Sequence, residues 1–376
     1  MNWQAAIERT LRTTTANLPR FTEKFPLVSK GTPKYELEDQ TSWTEGFWVG
    51  ILWLSYEYGR DPAIREAAVD AVASMKRRLE QNRQLDHHDI GFLYSLSAKA
   101  QWILEKDEQA RGVALQAADT LMKRWRETSQ LFQAWGPEGD PDNGGRIIID
   151  CLMNLPLLFW ATEQTGNPIY AERARIHAEK SRRFLVRGDD SSYHTFYFDQ
   201  ETGDSVRGGT HQGFRDGSTW TRGQAWGIYG FALAYRYTQE PSFLETAVRM
   251  ARYFVAHLPE DDVAYWDFDV PQQEGTPRDS SASAIAACGM LEIAGHLSAD
   301  DPERQDLLDW AQRSAAALTE RYFTAGNPEE EGFLRHGSYS VRGGVSPDDF
   351  VIWGDYFYLE ALLRLHQGTP GYWYER

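Results

Sequence analysis

Hydrophobic and polar positions along the chain alternate between two kinds of helix-like segment, and each kind occurs about six times. Segments of the first kind place a polar or acidic group just ahead of an apolar run rich in Trp, Gly and Ala; they start at Trp43, Asp86, Ile147, Trp220, Arg278 and Ile352. A repeated helix pair of this sort buries its apolar face only by stacking on its neighbours, so the pattern predicts an open solenoid or a closed ring. In a closed ring, all six polar ends would meet at one mouth.

Segments of the second kind are amphipathic, with apolar residues at three- and four-residue spacing and charged residues between them. They predict outer helices at about 3–18, 62–80, 108–127, 168–184, 241–257 and 302–321. Four of these helices open on an acid or amide followed by proline: Asp61-Pro62, Asn167-Pro168, Glu240-Pro241 and Asp301-Pro302. Asp and Asn are good helix caps and proline suits the first turn, so this recurrence independently supports a structural repeat.

Strand-like sequence is confined to the connections between helices. The stretch 191–213, SSYHTFYFDQETGDSVRGGTHQG, predicts a β-hairpin that turns at 201–204, and the stretch 263–271, VAYWDFDVP, is also strand-like. The hairpin is the longest insertion in the repeat. Because long ordered insertions on one rim usually shape a site, we expect it to border the functional site.

Composition restricts the class of protein and its partners. The chain has 376 residues, 41% of them apolar, and no Pro/Ser/Gly-rich linker divides it, so we expect one domain over 1–376. Lys and Arg total 39 against 55 Asp and Glu, and the net charge of −16 argues against a nucleic-acid groove or an anionic membrane surface.

The cysteines and the N-terminal sequence bear on location. Cys151 and Cys288 lie in apolar helical runs and give neither a disulfide framework nor a metal-binding spacing, so we expect buried, reduced thiols. The first residues, MNWQAAIERTLRTTT, lack the apolar core of a signal peptide, and no stretch of about 18 uninterrupted apolar residues occurs. We therefore expect a cytoplasmic protein, monomeric or homodimeric, with no membrane partner.

Two acidic residues are prominent because of their neighbours. Asp89 follows the pair His87-His88 at one inner-helix start, and Asp150 follows three isoleucines at the next. Apolar neighbours disfavour the charged carboxylate, so they predict a raised pKa for Asp150, as a general acid near neutral pH needs. The ordinary alternative is a helix N-cap. In a closed ring the two carboxylates come from adjacent helices and can face one another, and sugar-cleaving sites use such pairs.

The histidine pair also raises the question of a metal site. Adjacent histidines point in different directions and no HExxH motif follows, so we expect no metal and no cofactor. A hydrogen bond from His88 to a sugar hydroxyl or a carboxylate is the favoured role. The glycine-rich turn 207–213 could hold an anion on its backbone amides, although it has neither P-loop nor dinucleotide spacing. His194 and His211 are either site residues or satisfied loop histidines.

Arginine and tryptophan side chains complete the candidate set. Arg222 and Trp226 lie four residues apart, on one face of a predicted helix, and Arg222 could meet a carboxylate in bidentate fashion. Trp43, Trp135 and Trp226 could stack on sugar faces, or could simply pack in the core. The residues alone leave these alternatives open.

Seven sequence blocks together carry a family resemblance. They are LDHHDIGFLYSLSAKAQW, QAWGPEGDPDNGGRIIIDCL, RFLVRGDDSSYHTFYFD, RGGTHQG, DGSTWTRGQAWGIYGFAL, RDSSASAIAACG and SPDDFVIWGDYFYLEALLRL. In this order they resemble the unsaturated glucuronyl hydrolases of glycoside hydrolase family 88 over essentially the whole chain. The resemblance implies an all-α fold, an (α/α)6 barrel of six inner and six outer helices with a small β-hairpin insertion on the active-site rim.

The resemblance also implies a reaction. Enzymes of this family release Δ4,5-unsaturated glucuronic acid from the non-reducing end of lyase-generated, glycosaminoglycan-type oligosaccharides. An acid protonates C4 of the vinyl ether, water adds at C5, and the hemiketal opens and releases the glycosidic partner. The family acid/base matches Asp150, and the second carboxylate matches Asp89, for which we expect a role in orienting substrate. The implied substrate contacts are Trp43, His88, Trp135, His194, Gly208, Thr210, Gln212, Arg222 and Trp226.

Three other functions remain open at this stage. The related unsaturated rhamnogalacturonyl hydrolases share the fold and the vinyl-ether chemistry but act on pectin fragments. Sugar epimerases also use helical rings, with histidines that transfer protons; such a protein should tolerate Asp150→Asn better than the loss of a histidine. A carbohydrate-binding protein without catalysis is disfavoured because both Asp89 and Asp150 are present.

Overall fold

The fold is built from thirteen α-helices in the part of the chain that the computed structural model describes, residues 1–375. In chain order they are α1 (Trp3–Asn17), α2 (Glu45–Gly59), α3 (Pro62–Glu80), α4 (Ile90–Ser95), α5 (Ala98–Glu105), α6 (Glu108–Met122), α7 (Pro156–Thr165), α8 (Ile169–Phe184), α9 (Thr221–Thr238), α10 (Pro241–Ala256), α11 (Ser280–His296), α12 (Pro302–Ala317) and α13 (Ile352–Gln367). A 3-10 helix, Ile149–Met153, precedes α7, and a π-helical turn, Leu318–Tyr322, extends α12.

The inner helices form a closed ring. Around the ring, α2 packs against α4, and α4 packs against α7. Helix α9 packs against α7 and against the 3-10 helix that precedes α7. Helix α11 packs against α9 and α13, and α13 packs back against α2, which closes the ring. Each inner position also packs against one outer helix: α3, α6, α8, α10, α12 and α1 in turn. The alternative of an open solenoid is therefore excluded, and the expected barrel of six helix pairs is confirmed.

Burial distinguishes the two layers. Every residue of α9 from Thr221 to Ala234 is buried, whereas α10 buries one face that includes Phe243, Ala247, Met250 and Phe254. This is the difference between a helix surrounded by protein and one that faces water on one side. Although the inner helices are highly apolar, no helix in the described part of the chain is long and apolar enough to cross a membrane.

Several outer helices start as their sequence predicts. The carboxylate of Asp61 accepts a hydrogen bond from the Ala63 amide at 2.9 Å, and Asp301 does the same for the Glu303 amide at 2.9 Å. Glu240 precedes α10 without a side-chain cap. Because each outer helix returns after a short connection, all inner helices begin at the same end of the ring, where the long connections also lie. That end is the mouth.

Short strands lie in the long connections at the mouth. Strands β1 (Phe25–Ser29) and β2 (Tyr35–Glu38) form a hairpin that the sequence did not predict, and β3 (Trp125–Arg126) pairs with β4 (Leu131–Phe132). Strands β5 (Arg146–Ile148), β6 (Thr195–Phe198) and β7 (Ser205–Gly209) form an antiparallel sheet in that order. The predicted β6–β7 hairpin is confirmed, and β5 adds an unpredicted third strand.

The strand prediction for 263–271 is wrong. This segment forms only isolated bridges, between Asp267 and Trp220 and between Tyr265 and Arg278. Residues 263–267 are all buried, so burial does not alternate along the segment, and no neighbouring backbone runs alongside for more than one pair.

The C-terminal segment fills the end of the ring opposite the mouth. The Trp373 ring lies parallel to the Phe357 ring, with centroids 5.9 Å apart, and its Nε1 donates to Glu360 at 3.0 Å. The Glu375 carboxylate accepts from Trp160 Nε1 at 2.7 Å and from Gln164 Nε2 at 2.9 Å. The segment therefore closes the barrel with a buried polar and aromatic plug.

Candidate active site

A cleft of about 460 Å³ opens at the mouth of the ring. Its walls include Trp43, His87, Asp89, Trp135 and Tyr339. These residues come from four connections that are far apart in sequence, so closure of the ring is what assembles the cleft. The cleft lies where the inner helices begin, which is the place that the sequence pattern predicts for the six polar ends.

Asp89 and Asp150 lie together beside this cleft. Asp89 ends the connection before α4, and Asp150 lies in the 3-10 helix that follows β5. Neither side chain caps a helix: Asp89 makes no capping hydrogen bond, and Asp150 follows the residue at the cap position. The Nε2 atom of buried His88 lies 3.4 Å from Asp89 Oδ1 and 3.3 Å from Asp150 Oδ1. One imidazole thus stands between the two carboxylates.

The three groups shift one another's pKa values. Burial raises the pKa of Asp150, and the nearby Asp89 charge adds to this, while His88 partly opposes it. Burial alone would raise the pKa of Asp89, but His88 and His87 hold it below its ordinary value. Burial would lower the pKa of His88, yet Asp89, Cys151 and Asp150 together outweigh it and raise that pKa well above 6.5. Divergent pKa values in one carboxylate pair separate a proton donor from a permanently ionised group.

The same three residues are the ones that could hold a metal ion. One donor atom each from His88, Asp89 and Asp150 lie within 4.8 Å of one another. The charged form of His88 competes with metal binding, because a metal needs a neutral imidazole and the neighbouring acidic groups raise the pKa of this ring. The absence of a metal stays a prediction.

His194 is held as a neutral ring by the neighbouring loop. Its Nδ1 accepts hydrogen bonds from the backbone amides of His211 at 3.0 Å and Gln212 at 3.2 Å, and its ring packs on Trp220 with centroids 4.5 Å apart. Burial, with the nearby His211 and Arg146 charges, lowers the pKa of His194 well below 6.5. Because Nδ1 accepts, Nε2 carries the proton and is the donor that the ring offers.

The Gly208–Thr210 segment is a tightly held rim. A Cβ atom at Gly208 would lie 2.7 Å from the Tyr193 ring, which explains the glycine. The Thr210 amide donates to Asp216 at 3.0 Å, and Thr210 Oγ1 accepts from the Gly213 amide at 2.8 Å. The Thr210 amide is therefore already occupied, and an anion on this turn would compete with Asp216.

Arg222 is fully buried and already bonded on both terminal nitrogens. Its Nη1 contacts the Asp279 carboxylate and donates to the Ser338 carbonyl at 2.6 Å. Its Nη2 donates to the Tyr339 carbonyl at 2.8 Å and to Gln212 Oε1 at 3.3 Å. Since the Gln212 oxygen accepts from Arg222, the Gln212 amide nitrogen is left as the donor. Arg222 therefore influences the cleft indirectly, by holding the side chain of Gln212 and the backbone of Tyr339.

The three candidate tryptophans occupy different depths. Trp43 and Trp135 line the cleft, and Trp43 Nε1 donates to the Tyr339 hydroxyl at 3.3 Å. Trp226 is 1% exposed and packs on Phe92, with ring centroids 5.2 Å apart. Trp226 therefore supports the floor beneath the site, whereas the other two form its walls.

Sequence reasoning missed two residues that complete the site. Tyr339 lies 296 residues after its partner Trp43 and belongs to a loop without a recognisable motif. His87 Nδ1 accepts from the Asp89 amide at 3.1 Å and so fixes the backbone of that aspartate. For His87 the run Asp86-His87-His88-Asp89 was an available signal; for Tyr339 the only signal was that the segment 338–344 resembles a segment of the family.

A closed ring of helix pairs with two carboxyl groups at its mouth is an architecture that fits a glycoside hydrolase. The Glycosyl Hydrolase Family 88 model matches residues 18–366, and the chain belongs to this family. The chain is 65% identical to the unsaturated glucuronyl hydrolase of Bacillus sp. (strain GL1), covering 100% of this chain and 99% of that protein. The crystal structure of that enzyme superposes with a TM-score of 0.99 over the same shares.

Two further relatives extend the comparison. The unsaturated chondroitin disaccharide hydrolase of Streptococcus pyogenes serotype M1 is 42% identical, covering 98% of this chain and 92% of the relative. A solved structure of a variant UGL with dGlcA-Glc-Rha-Glc is 65% identical, with a TM-score of 0.99 over 100% of this chain and 99% of its own. The family resemblance deduced from the seven sequence blocks is thereby confirmed.

Proposed function

We propose that this protein is an unsaturated glucuronyl hydrolase. It removes Δ4,5-unsaturated glucuronic acid from the non-reducing end of glycosaminoglycan-type oligosaccharides that polysaccharide lyases release. The observation that carries the proposal is that Asp89 and Asp150 lie on either side of the His88 imidazole and have pKa values shifted in opposite directions, which favours Asp150 as the proton donor and Asp89 as the ionised group. The family membership and the activities named for the 65% and 42% identical relatives support it.

Asp150 is the acid and base of the reaction. In its protonated form it donates a proton to C4 of the C4=C5 vinyl ether, leaving a cation shared by C5 and the ring oxygen. Water then adds at C5 and gives a proton to the Asp150 carboxylate, which restores the acid. The hemiketal opens to a C5 ketone, and the hemiacetal at C1 collapses with release of the leaving sugar. Proton transfer of this kind contributes about 10²- to 10⁴-fold in rate.

Asp89 orients the substrate in this scheme. Its low pKa keeps it ionised while Asp150 is protonated, so it accepts hydrogen bonds from ring hydroxyls rather than delivering a proton. His194 Nε2 and the Gln212 amide nitrogen supply donors, and Trp43 and Trp135 supply flat apolar walls against which sugar rings can stack.

The wider setting of the enzyme is part of the proposal. We take residues 1–376 as one catalytic domain that works without a cofactor or metal, in the cytoplasm, as a monomer or homodimer. Its only partners in this scheme are oligosaccharides bearing an unsaturated uronate. Size-exclusion chromatography with light scattering distinguishes the two oligomeric states.

The test follows the chromophore of the substrate. The conjugated enol carboxylate of an unsaturated chondroitin or hyaluronan disaccharide absorbs in the ultraviolet, and hydration of the double bond removes that absorbance. We expect loss of absorbance with the wild type, and a loss of rate of at least about a hundredfold in Asp150→Asn. Asp86→Asn is the matched control, because Asp86 is an exposed carboxylate close in sequence to Asp89, and it should leave the rate nearly unchanged.

Two outcomes would contradict the proposal. If folded wild type consumes neither disaccharide but consumes unsaturated pectin fragments, the substrate class is wrong. If Asp150→Asn retains the wild-type rate, the assigned acid is wrong whatever the substrate.

A further inference from the structure

A row of alternating cations and aromatic rings crosses the three-stranded sheet at the mouth. The sheet register pairs Arg146 with Tyr197 and Tyr197 with Arg207. The Arg146 guanidinium lies 4.5 Å from the ring centroid of Trp135 and 5.1 Å from that of Tyr197, and Arg207 lies 4.5 Å from Tyr197. The row therefore runs from Arg207 through Tyr197 and Arg146 to Trp135, where it meets the cleft.

Arg146 is a buried cation that packs on these rings, while the charge of Asp150 acts on it from beyond salt-bridge distance. It is 8% exposed, and within residues 1–375 no carboxylate forms a salt bridge with it. Its Nη1 donates to Asn143 Oδ1 at 3.3 Å, and its buried Nε has no hydrogen-bond partner. Burying an unpaired charge is costly, so a residue that served packing alone would be apolar here. Planar guanidinium groups, in contrast, stack well on aromatic faces.

The backbone of Trp135 is fixed independently of Arg146. The Gln133 side-chain amide donates to the carbonyls of Trp135 at 2.6 Å, Gly136 at 3.1 Å and Pro137 at 2.9 Å. Its Oε1 accepts from Arg126 at 2.7 Å, which sets the orientation of this amide. The orientation of the indole plane is left to the side chains that pack on it, Arg146 and His211.

Trp135 lies on the cleft wall, on the path that a sugar attached to the unsaturated ring would take. The cleft wall includes Trp135 and Asp89, whereas Asp150 and His88 lie outside this lining. With the unsaturated ring at Asp150, the next sugar lies along the cleft wall. The indole contacts Arg146 and the edge-to-face ring of His211, whose centroid lies 5.1 Å away, and its remaining surface lines the cleft.

We propose that Arg146 is a positioning residue that holds the Trp135 indole in the orientation against which the leaving sugar stacks. The proposal rests on the proposed function and deepens it, because it assigns recognition of the leaving sugar to a cation that does not touch the reacting atoms. Lysine keeps the charge but not the planar stacking surface, so Arg146→Lys separates orientation from electrostatics.

The test is a double-mutant cycle on two substrates. Four proteins are compared: wild type, Arg146→Lys, Trp135→Ala and the double variant. Each is assayed by ultraviolet absorbance on two substrates, the unsaturated chondroitin disaccharide and the methyl glycoside of unsaturated glucuronic acid. On the disaccharide, Arg146→Lys should lower kcat/KM about five- to tenfold, with little further loss in the double variant beyond Trp135→Ala. On the methyl glycoside, which has no second sugar, Arg146→Lys should change kcat/KM less than about twofold.

Two control variants guard against a general structural effect. Arg207→Lys alters the other end of the row, where the exposed Arg207 lies against Tyr197 and 3.9 Å from Asp216, and should leave both substrates unaffected. Tyr197→Leu removes the second ring under Arg146 and should give a smaller loss on the disaccharide alone. If Arg146→Lys does not fold, the Tyr197→Leu result decides the question in the same way.

The outcomes separate the two proposals. If wild type consumes neither substrate, the proposed function fails. Suppose that wild type consumes both substrates. If the losses of kcat/KM in Arg146→Lys and Trp135→Ala simply multiply in the double variant, or if Arg146→Lys lowers kcat/KM equally on the two substrates, the positioning role of Arg146 is overturned. The proposed function stands in either case.

Discussion

Asp89 and Asp150 face the same nitrogen atom of one buried imidazole, with His88 Nε2 3.4 Å from the first carboxylate and 3.3 Å from the second. The positive charge of this ring favours ionisation of both carboxyl groups. Asp89 also has His87 beside it, whereas burial dominates at Asp150, so the pKa values move in opposite directions. These opposite shifts open a pH interval in which Asp150 is protonated while Asp89 is ionised.

Replacing His88 should move the pH dependence of the enzyme. His88→Asn removes the charge that lowers the pKa of both carboxyl groups, so both pKa values should rise. Activity needs ionised Asp89 and protonated Asp150, so the acidic limb and the alkaline limb of kcat/KM should both move to higher pH. A pH profile of disaccharide consumption measures this.

The control for this variant is a distant histidine. His366→Asn alters an exposed histidine at the end of α13 and should leave the pH profile unchanged. If the acidic and alkaline limbs of the His88→Asn profile stay at their wild-type pH values, even at a lower rate, His88 does not set these pKa values.

Glu292 should make the fold sensitive to acid. Its carboxylate accepts hydrogen bonds from Arg364 at 3.0 Å and Tyr374 at 3.1 Å, and it pairs with Arg236. Burial would raise the pKa of Glu292, but His296, Arg364 and Arg236 lower it to about 2. Because this value lies below the ordinary 4.5, the stabilisation is complete above about pH 4.5 and is lost as pH falls towards 2.

Glu292→Gln should therefore lower the free energy of unfolding by ~3–5 kcal/mol at pH 7. The difference from wild type should shrink when urea unfolding is repeated between pH 4.5 and pH 3. Glu80→Gln, which changes a half-exposed carboxylate 3.9 Å from Lys76, should cost less than ~0.5 kcal/mol at either pH. An equal loss for Glu292→Gln at both pH values would argue against an ionised Glu292.

Lys99 should give the fold the opposite pH dependence. Its buried Nζ donates to the Trp373 carbonyl at 2.7 Å, and burial lowers the pKa of Lys99 to about 7 despite Glu163 and Glu375. The unfolded chain, with the ordinary value of 10.5, then binds more protons between pH 7 and 10.5. Stability should therefore gain at most ~1.4 kcal/mol per pH unit from this group as pH rises through that window.

Lys99→Met should remove this contribution. Urea unfolding at pH 7, 8 and 9 should show wild type gaining stability relative to Lys99→Met at each step. Lys76→Met, at an exposed position on α3, should run parallel to wild type. Parallel curves for Lys99→Met would mean that Lys99 stays charged in the folded protein.

A paired glycine test probes how closely the inner helices approach. A Cβ atom at Gly91 in α4 would lie 2.4 Å from the Cα atom of Asn154, so Gly91→Ala forces two backbones apart. We expect a loss of at least ~1–3 kcal/mol in stability, with reduced activity because Asp89 lies two residues away. Gly112 in outer helix α6 has nothing within 4 Å of the same added atom, and Gly112→Ala should stabilise by ~0.5–1 kcal/mol. Equal urea midpoints for both variants would contradict this.

The local sequence pattern was enough to predict most of the helices and part of the site. Apolar spacing and the Asp-Pro starts placed the outer helices within a few residues, since amphipathicity and capping are properties of neighbouring residues. The predictions for the inner helices were less accurate. The second is broken into α4 and α5, and the third begins as a 3-10 helix, although both read as continuous apolar runs. The apolar neighbours of Asp150 likewise indicated the direction of its pKa shift.

The sequence by itself determined the helical repeat, its polar ends and the residue types that the family chemistry needs. Only the tertiary structure decided that the ring closes, that 146–148 becomes a strand beside β6, and that His88 lies between Asp89 and Asp150. It also decided that Arg222 is engaged by Asp279 and that Arg146 stacks on Trp135. The physical reason is that periodicity and capping act over a few residues, whereas these contacts join segments tens to hundreds of residues apart, and their geometry exists only once the ring has closed.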